Sequence, residues 1–246
     1  MAFRSYEGSA RKVQRSYRRA AVTFACAPAF SAARARLVFA AVALASPLMA
    51  QEAAPDRPIK IVALGDSLTA GFGLPANDAF PAKLLAALKA KGANIEITNA
   101  GVSGDTASGG LERLDWAIAQ DTDAVIVELG ANDGLRGLDP KITRKAIDAI
   151  VKRLTDRNIT VLLCGMLAPP NLGSEYGAKF NSIFPDVAKT YNTLLYPFFL
   201  TGVATDPKLN QRDGLHPTTK GVDIIVANIM PSVEQLIARV KSQRGS

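Results

Sequence analysis

Five short runs of apolar and β-branched residues punctuate the chain, at 60–64, 95–99, 124–129, 160–164 and 194–198. They are nearly continuous rather than alternating, the pattern of strands covered on both faces in a parallel sheet. Between them, apolar residues recur at helical spacing over 79–91, 107–119, 140–157 and 178–191, and a last helix is predicted over about 218–240. Pro140 at a first turn and Gly92 just past a last one fit the usual asymmetry of helix ends. Strand and helix alternate throughout, which predicts a three-layer α/β/α sandwich around a five-stranded parallel sheet with right-handed crossovers. Ligands of such sheets bind outside the carboxyl ends of the strands.

The front of the chain breaks this pattern. Residues 1–36 hold eight Lys or Arg and one acid, Glu7, and an apolar stretch of 14 residues follows at 37–50. A charged segment, a short apolar segment and small residues at its end are the layout of an export signal. The stretch is too short for an ordinary spanning helix. Two alternatives stand beside that reading: an uncleaved membrane anchor, and a start codon assigned too far upstream. The expected organisation is a leader over 1–50, a linker over 51–58 and one domain over 59–242. The expected location is outside the cytoplasm, periplasmic or secreted, with no stable membrane insertion of the mature body.

Removing the leader changes the meaning of the charge. The net +7 belongs entirely to residues 1–50, because residues 51–246 carry 21 basic and 21 acidic side chains. A neutral body offers no surplus cation for phosphates, so nucleic acid is not an expected partner. Cys26 falls in the leader, so Cys164 stands alone in the body, reads as a packed core residue and precludes an internal disulfide. One His and one Cys cannot build an ordinary zinc site, and no metal or cofactor is expected.

That one histidine, His216, lies three residues after Asp213, and the strand ends supply what it lacks. Ser67 follows Gly65 at the exit of the first strand; Gly101 to Thr106 follows the second; Gly130-Ala131-Asn132-Asp133 follows the third; the Asp213–His216 segment follows the fifth. Each motif alone is an ordinary turn, since Gly, Asn, Asp and Ser are turn formers. Together they fall in order on one edge of one sheet. Acyl transfer needs a nucleophile, a base and a group that orients the base, and Ser67, His216 and Asp213 are the candidates. It also needs donors aimed at a developing oxyanion: the backbone N–H groups of Ser67 and Gly104, and the Asn132 side-chain amide. Asp66 is expected to fix the turn through side-chain to backbone hydrogen bonds. Gly65-Asp66-Ser67-Leu68-Thr69 is not a Gly-x-Ser-x-Gly elbow, because Thr69 stands where the last Gly belongs.

The Ser block Gly65-Asp66-Ser67-Leu68-Thr69-Ala70-Gly71, the Gly block 99–106, the Asn block 130–133 and Asp213-Gly214-Leu215-His216-Pro217 resemble the SGNH, or GDSL, hydrolase family over about 59–240. Within it the chain looks most like the bacterial thioesterase I/lysophospholipase L1 branch and its arylesterase relatives, with further likeness in 132–137, 166–171 and 196–199. The resemblance implies a flavodoxin-like sheet and a serine esterase that cleaves carboxylic esters through an acyl-enzyme, with small aryl and short to medium acyl esters as substrates. Acyl-CoA thioesterase or lysophospholipase activity is the alternative, ahead of carbohydrate deacetylation or a non-catalytic binding module. Only the connections 166–176 and 202–211 look long enough to line a pocket. Met166, Leu167, Ala168, Pro169, Pro170 and Leu172 offer an apolar wall of small volume, which favours acyl groups of about C2 to C8 and no interfacial activation.

Overall fold

The computed structural model describes residues 57–245; the leader, and the linker up to residue 56, lie outside the described residues. Five parallel strands form one sheet in the order β2-β1-β3-β4-β5: β1 (Ile59–Gly65), β2 (Ile95–Gly101), β3 (Ala124–Glu128), β4 (Thr160–Cys164) and β5 (Leu194–Tyr196). Every residue of β3 and β4 is buried, as their unbroken apolar sequences require. β2 departs from the expectation of burial on both faces. It is one of the two edge strands, and Glu96, Thr98 and Asn99 are exposed.

The helices are α1 (Ser67–Ala70), α2 (Phe80–Ala90), α3 (Ala107–Glu112), α4 (Leu114–Ala117), α5 (Ala131–Leu135), α6 (Pro140–Asp156), α7 (Ser174–Asn181), α8 (Ile183–Thr190) and α9 (Thr219–Arg244). α2 packs on α9, whereas α3, α7 and α8 pack on α6, so the sheet lies between two helical layers. Phe80, Leu84, Ile126, Ile147, Phe184 and Ile229 are among the side chains fully or almost fully withdrawn from solvent. Each contributes roughly 1.5–3 kcal/mol by leaving water.

Two expected helices are broken. The 107–119 segment divides at Arg113, which turns its guanidinium inward, and the 178–191 segment divides at Ser182. There Pro185 has no N–H to continue the ladder of α7, and it sits instead in the first turn of α8, where that N–H is not needed. At the other end α9 runs on to Arg244. The Arg244 guanidinium donates to the Arg57 and Pro58 carbonyls and to Asp123. Residues 57 and 58, expected in the linker, are thereby tied to the domain.

The strand order positions the site. After β1 the chain moves outward to β2 through α2; it then returns past β1 to β3 and leaves through α6 on the other layer. The segments after β1 and β3 therefore part to opposite faces and open a crevice at their carboxyl ends, the usual ligand position in such a sheet.

Candidate active site

Ser67 opens α1 directly beyond β1 and is nearly buried. Its turn is set by Asp66, whose Oδ1 accepts the Leu68 N–H at 2.9 Å, the capping bond expected of an Asp in that position. Gly65 is dictated by close approach: a Cβ there would lie 2.0 Å from Thr69 Oγ1 and 2.7 Å from Glu128 Oε2. The serine therefore leaves the strand on a turn that only glycine can precede.

His216 reaches Ser67 from a loop before α9. Its Nε2 lies 2.9 Å from Ser67 Oγ, and its Nδ1 lies 2.7 Å from Asp213 Oδ2. In the neutral ring with the proton on Nδ1, the imidazole donates to Asp213 and accepts from the serine. Asp213 Oδ1 also accepts the backbone N–H of Leu215 and of His216. These N–H groups and the His216 ring hold the Asp213 carboxyl down at about 2, so it is ionised across the neutral range. Gly214 completes the loop at φ +72°, and the Gln211 N–H donates to the His216 carbonyl at 2.7 Å. The Gln211 amide then bridges to the carbonyls of Phe72 and Pro217. Gln211 thus staples the histidine loop to the serine loop.

The expected oxyanion donors lie on three linked segments, the Ser67 turn, the Gly104 loop and the start of α5, with Asn132 bonded to Asp66 and to the Asp105 carbonyl. Among the described residues, neither the Ser67 nor the Gly104 backbone N–H has an acceptor within the chain. Gly104 adopts φ +85°, a conformation that favours glycine, and its carbonyl accepts from Arg136 at 2.9 Å. The Asn132 amide is more constrained than the sequence suggests. Its Nδ2 donates to Asp66 Oδ2 at 3.0 Å and to the Asp105 carbonyl at 2.9 Å, so both of its N–H groups are already engaged.

Four residues not singled out by the sequence hold this arrangement. Arg113 is almost fully buried; it donates to Asp105 at 2.5 Å and to the Ala100 and Gly65 carbonyls at 2.8 Å each, joining the ends of β1 and β2 to the Gly104 loop. Asp133 accepts the Ala107 N–H and the Thr143 hydroxyl, joining α5 to α3 and α6. Glu128 is fully buried at the end of β3 and accepts the Thr69 hydroxyl at 2.7 Å. Gln211 is the fourth. Burial pushes Asp66 up to about 6, against the opposing pull of the Leu68 N–H and the Asn132 amide, and pushes Glu128 well above the usual carboxylate range.

The surroundings are apolar and open. Among the described residues seven large apolar side chains are exposed, and five of them follow the strand ends or flank His216: Phe72 after α1, Val102 after β2, Leu135 at the end of α5, Leu167 after β4 and Leu215 beside His216. The expected wall at 166–172 is thinner than the sequence implies, because Met166 is buried in the core and Leu167 alone of that stretch is both large and exposed. A cavity of about 600 Å³ beside α6 and α7 has the wrong chemistry for this site. Its Arg144 and Lys179 are already paired with Asp186 and Glu175. Among the described residues no group of three or more His, Cys, Asp or Glu comes together in a way that could hold a metal ion.

A parallel 2-1-3-4-5 sheet with the Ser, Gly, Asn and His segments gathered at its carboxyl edge is the SGNH-hydrolase architecture. The solved SGNH-hydrolase esterase AlinE4 matches with a TM-score of 0.62 and 44% identity, covering 73% of this chain and 96% of that one. The profile of the GDSL-like lipase/acylhydrolase family matches residues 63–224. An arylesterase of Vibrio mimicus is 39% identical over 166 residues, 67% of this chain and 83% of its own length. The esterase TesA of Pseudomonas aeruginosa is 35% identical over 195 residues, 79% of this chain and 96% of its own. The chain belongs to the GDSL-like lipase/acylhydrolase family and is a carboxylic ester hydrolase.

Proposed function

We propose that the chain cleaves aryl esters and short- to medium-chain acyl esters through an acyl-enzyme on Ser67. The observation that carries this reading is the unbroken hydrogen-bonded chain from Ser67 Oγ through His216 to Asp213, at 2.9 and 2.7 Å. His216 takes the serine proton as Oγ attacks the ester carbonyl, and the ionised Asp213 stabilises the imidazolium that forms. The carbonyl oxygen gains charge against the Ser67 and Gly104 N–H groups and the Asn132 amide, which shifts part of its donation from Asp66 or Asp105 onto the oxyanion. His216 then protonates the leaving alcohol. Water, deprotonated by the same ring, attacks the acyl carbonyl, releasing the acid and restoring Ser67.

The apolar rim supports the substrate class, since Phe72, Val102, Leu135, Leu167 and Leu215 offer surface to an aryl or alkyl group and no countercharge to an anion. That rim is open, which also favours a second reading, thioesterase or lysophospholipase activity, in which a longer acyl chain lies along Leu135 and Leu167. Rates on p-nitrophenyl esters from C2 to C16, acyl-CoAs and lysophospholipids separate the two. A maximum in kcat/KM at about C2 to C8 on a good aryl leaving group is expected; a climb to C14 or C16, or a rate jump at the micellar threshold, supports the second reading.

Residues 1–50 are proposed to direct export and to be removed. Their charge and the apolar stretch at 37–50 support this, as does the absence of every proposed catalytic group from them. The mature body is proposed not to insert in a membrane. The apolar face of α9, including Val222, Ile225, Ile229, Val233 and Leu236, is used up inside the domain. N-terminal sequencing of protein from the producing cell tests the cleavage; a chain that retains residues before 37 refutes it.

A further inference from the structure

Glu128 is the only acid in β3, and its carboxyl is completely shielded from solvent. An acid in such a place is costly unless it is neutral or well hydrogen-bonded, and an apolar side chain would serve the sheet at least as well. Its contacts run in one direction. Oε2 accepts the Thr69 hydroxyl at 2.7 Å and the Asp66 backbone N–H at 3.4 Å, while Oε1 has no partner. Both bonds fall on the turn that carries Ser67. Thr69 is fully buried on α1, and Asp66 is the cap whose Oδ1 takes the Leu68 N–H and whose Oδ2 takes the Asn132 amide. From Glu128 a continuous path leads through Thr69 and the Asp66 backbone to the Asp66 carboxylate and on to Asn132. Gly65 belongs to the same device, because its missing Cβ is the space in which Glu128 meets Thr69.

We propose that Glu128 is a positioning residue for the hydrolysis: by fixing the Asp66 turn through Thr69, it aims the Asn132 amide at the reacting carbonyl. The proposal rests on Asn132 acting as an oxyanion donor. Glu128 touches no substrate and exchanges no proton with it. Burial pushes its carboxyl well above the usual carboxylate range and so favours the neutral form, as does the neighbouring Asp66 carboxylate. A glutamine of the same shape can therefore replace it, whereas an apolar residue leaves the Thr69 hydroxyl and the Asp66 N–H without their acceptor.

The test compares Glu128→Leu, Glu128→Gln and Thr69→Val with the parent, using the complete chain and a p-nitrophenyl ester, with near-UV circular dichroism to establish the folded fraction. Thr69→Val keeps the volume and removes only the hydroxyl, so it reads the same path should the leucine variant fold badly. Glu128→Leu and Thr69→Val are expected to lower kcat roughly 10- to 100-fold with KM little changed, the scale of a small misplacement of a reacting group. Glu128→Gln is expected to recover most of that loss. In an Asn132→Ala background the leucine and valine changes should cost no more than about 2-fold, because the group they aim is gone. Costs that add fully to that of Asn132→Ala, a loss carried by KM, or a glutamine variant as poor as the leucine one overturns the proposal. An Asn132→Ala change that leaves kcat intact removes the oxyanion reading itself, and this proposal with it.

Discussion

The ring of Phe72 lies 4.5 Å from the ring of His216, centroid to centroid, tilted by 37°. Phe72 is half exposed, so its position is held by that contact and by the Gln211 bond to its carbonyl rather than by burial. It limits how far the imidazole can swing away from Ser67. Aromatic contacts of this kind are worth roughly 0.5–1.5 kcal/mol. Phe72→Ala should therefore lower kcat by about 2- to 12-fold, and by more on aryl than on alkyl esters if the same ring also touches the substrate. An unchanged kcat on both series would show that the ring does neither.

Ser67→Ala and His216→Ala should each abolish nearly all turnover, and the double variant should be little worse, since a nucleophile and its base act as a unit. A phosphonate or sulfonyl fluoride should add to Ser67 alone, as mass spectrometry of the labelled peptide would report. Chelators should leave the rate untouched. A label found elsewhere, or a rate lost to a chelator and restored by a metal ion, contradicts the scheme.

Asp213→Asn should lower kcat by up to about 10⁴-fold, the scale of a base held in the wrong tautomer. The loss should persist at every pH, because the native carboxyl sits at about 2 and is already ionised wherever the enzyme works. Recovery of the variant at high pH would mean that Asp213 acts mainly by its charge on His216 rather than by orienting it.

Asn132→Ala should reduce kcat by roughly 10²- to 10³-fold with a far smaller change in KM. A steady-state comparison decides it: a loss borne mainly by KM would make Asn132 a ground-state binding group.

Stability should depend on pH through Glu128 in a definite direction. The folded-state pKa lies well above the ordinary 4.5, so the folded protein keeps a proton that the unfolded chain has lost. Wild-type stability therefore falls as pH rises above about 4.5, whereas Glu128→Gln carries no such titration. The stability of the glutamine variant relative to wild type should increase between about pH 5 and about pH 7, by at most about 1.4 kcal/mol per pH unit. Urea denaturation at the two pH values measures it. A difference independent of pH would mean that Glu128 titrates normally in the folded state.

The sheet was legible because β1, β3 and β4 are buried on both faces and their sequences are unbroken apolar runs. The run at 95–99 predicts the same burial for β2, which is an edge strand, because periodicity over five residues does not reveal which strand lies outermost. The Ser67, Gly104, Asn132 and Asp213–His216 segments were legible because each carries a chemistry-bearing residue at a strand exit. Arg113 and Gln211 were not, for their work is done by bonds to backbone carbonyls 48 and 139 positions away, which leave no local pattern. Glu128 does leave a trace in the sequence, as a lone acid inside the apolar run 124–129.

The His216 loop carries base and orienting acid three residues apart, and its hydrogen bonds are largely its own. Asp213 takes the N–H groups of Leu215 and His216, and Gln211 takes hold of the His216 carbonyl. A shift of this loop as a unit leaves the Asp213–His216 geometry intact and alters its contacts with the serine loop, those of His216 with Ser67 Oγ and with the Phe72 ring and that of Gln211 with the Phe72 carbonyl. Activation of the proposed nucleophile would then follow one mechanical coordinate, the position of this loop, with the Gln211 bond to Phe72 as its spring. Grafting a different loop of the same internal pattern would retune that coordinate without redesigning the acid–base pair.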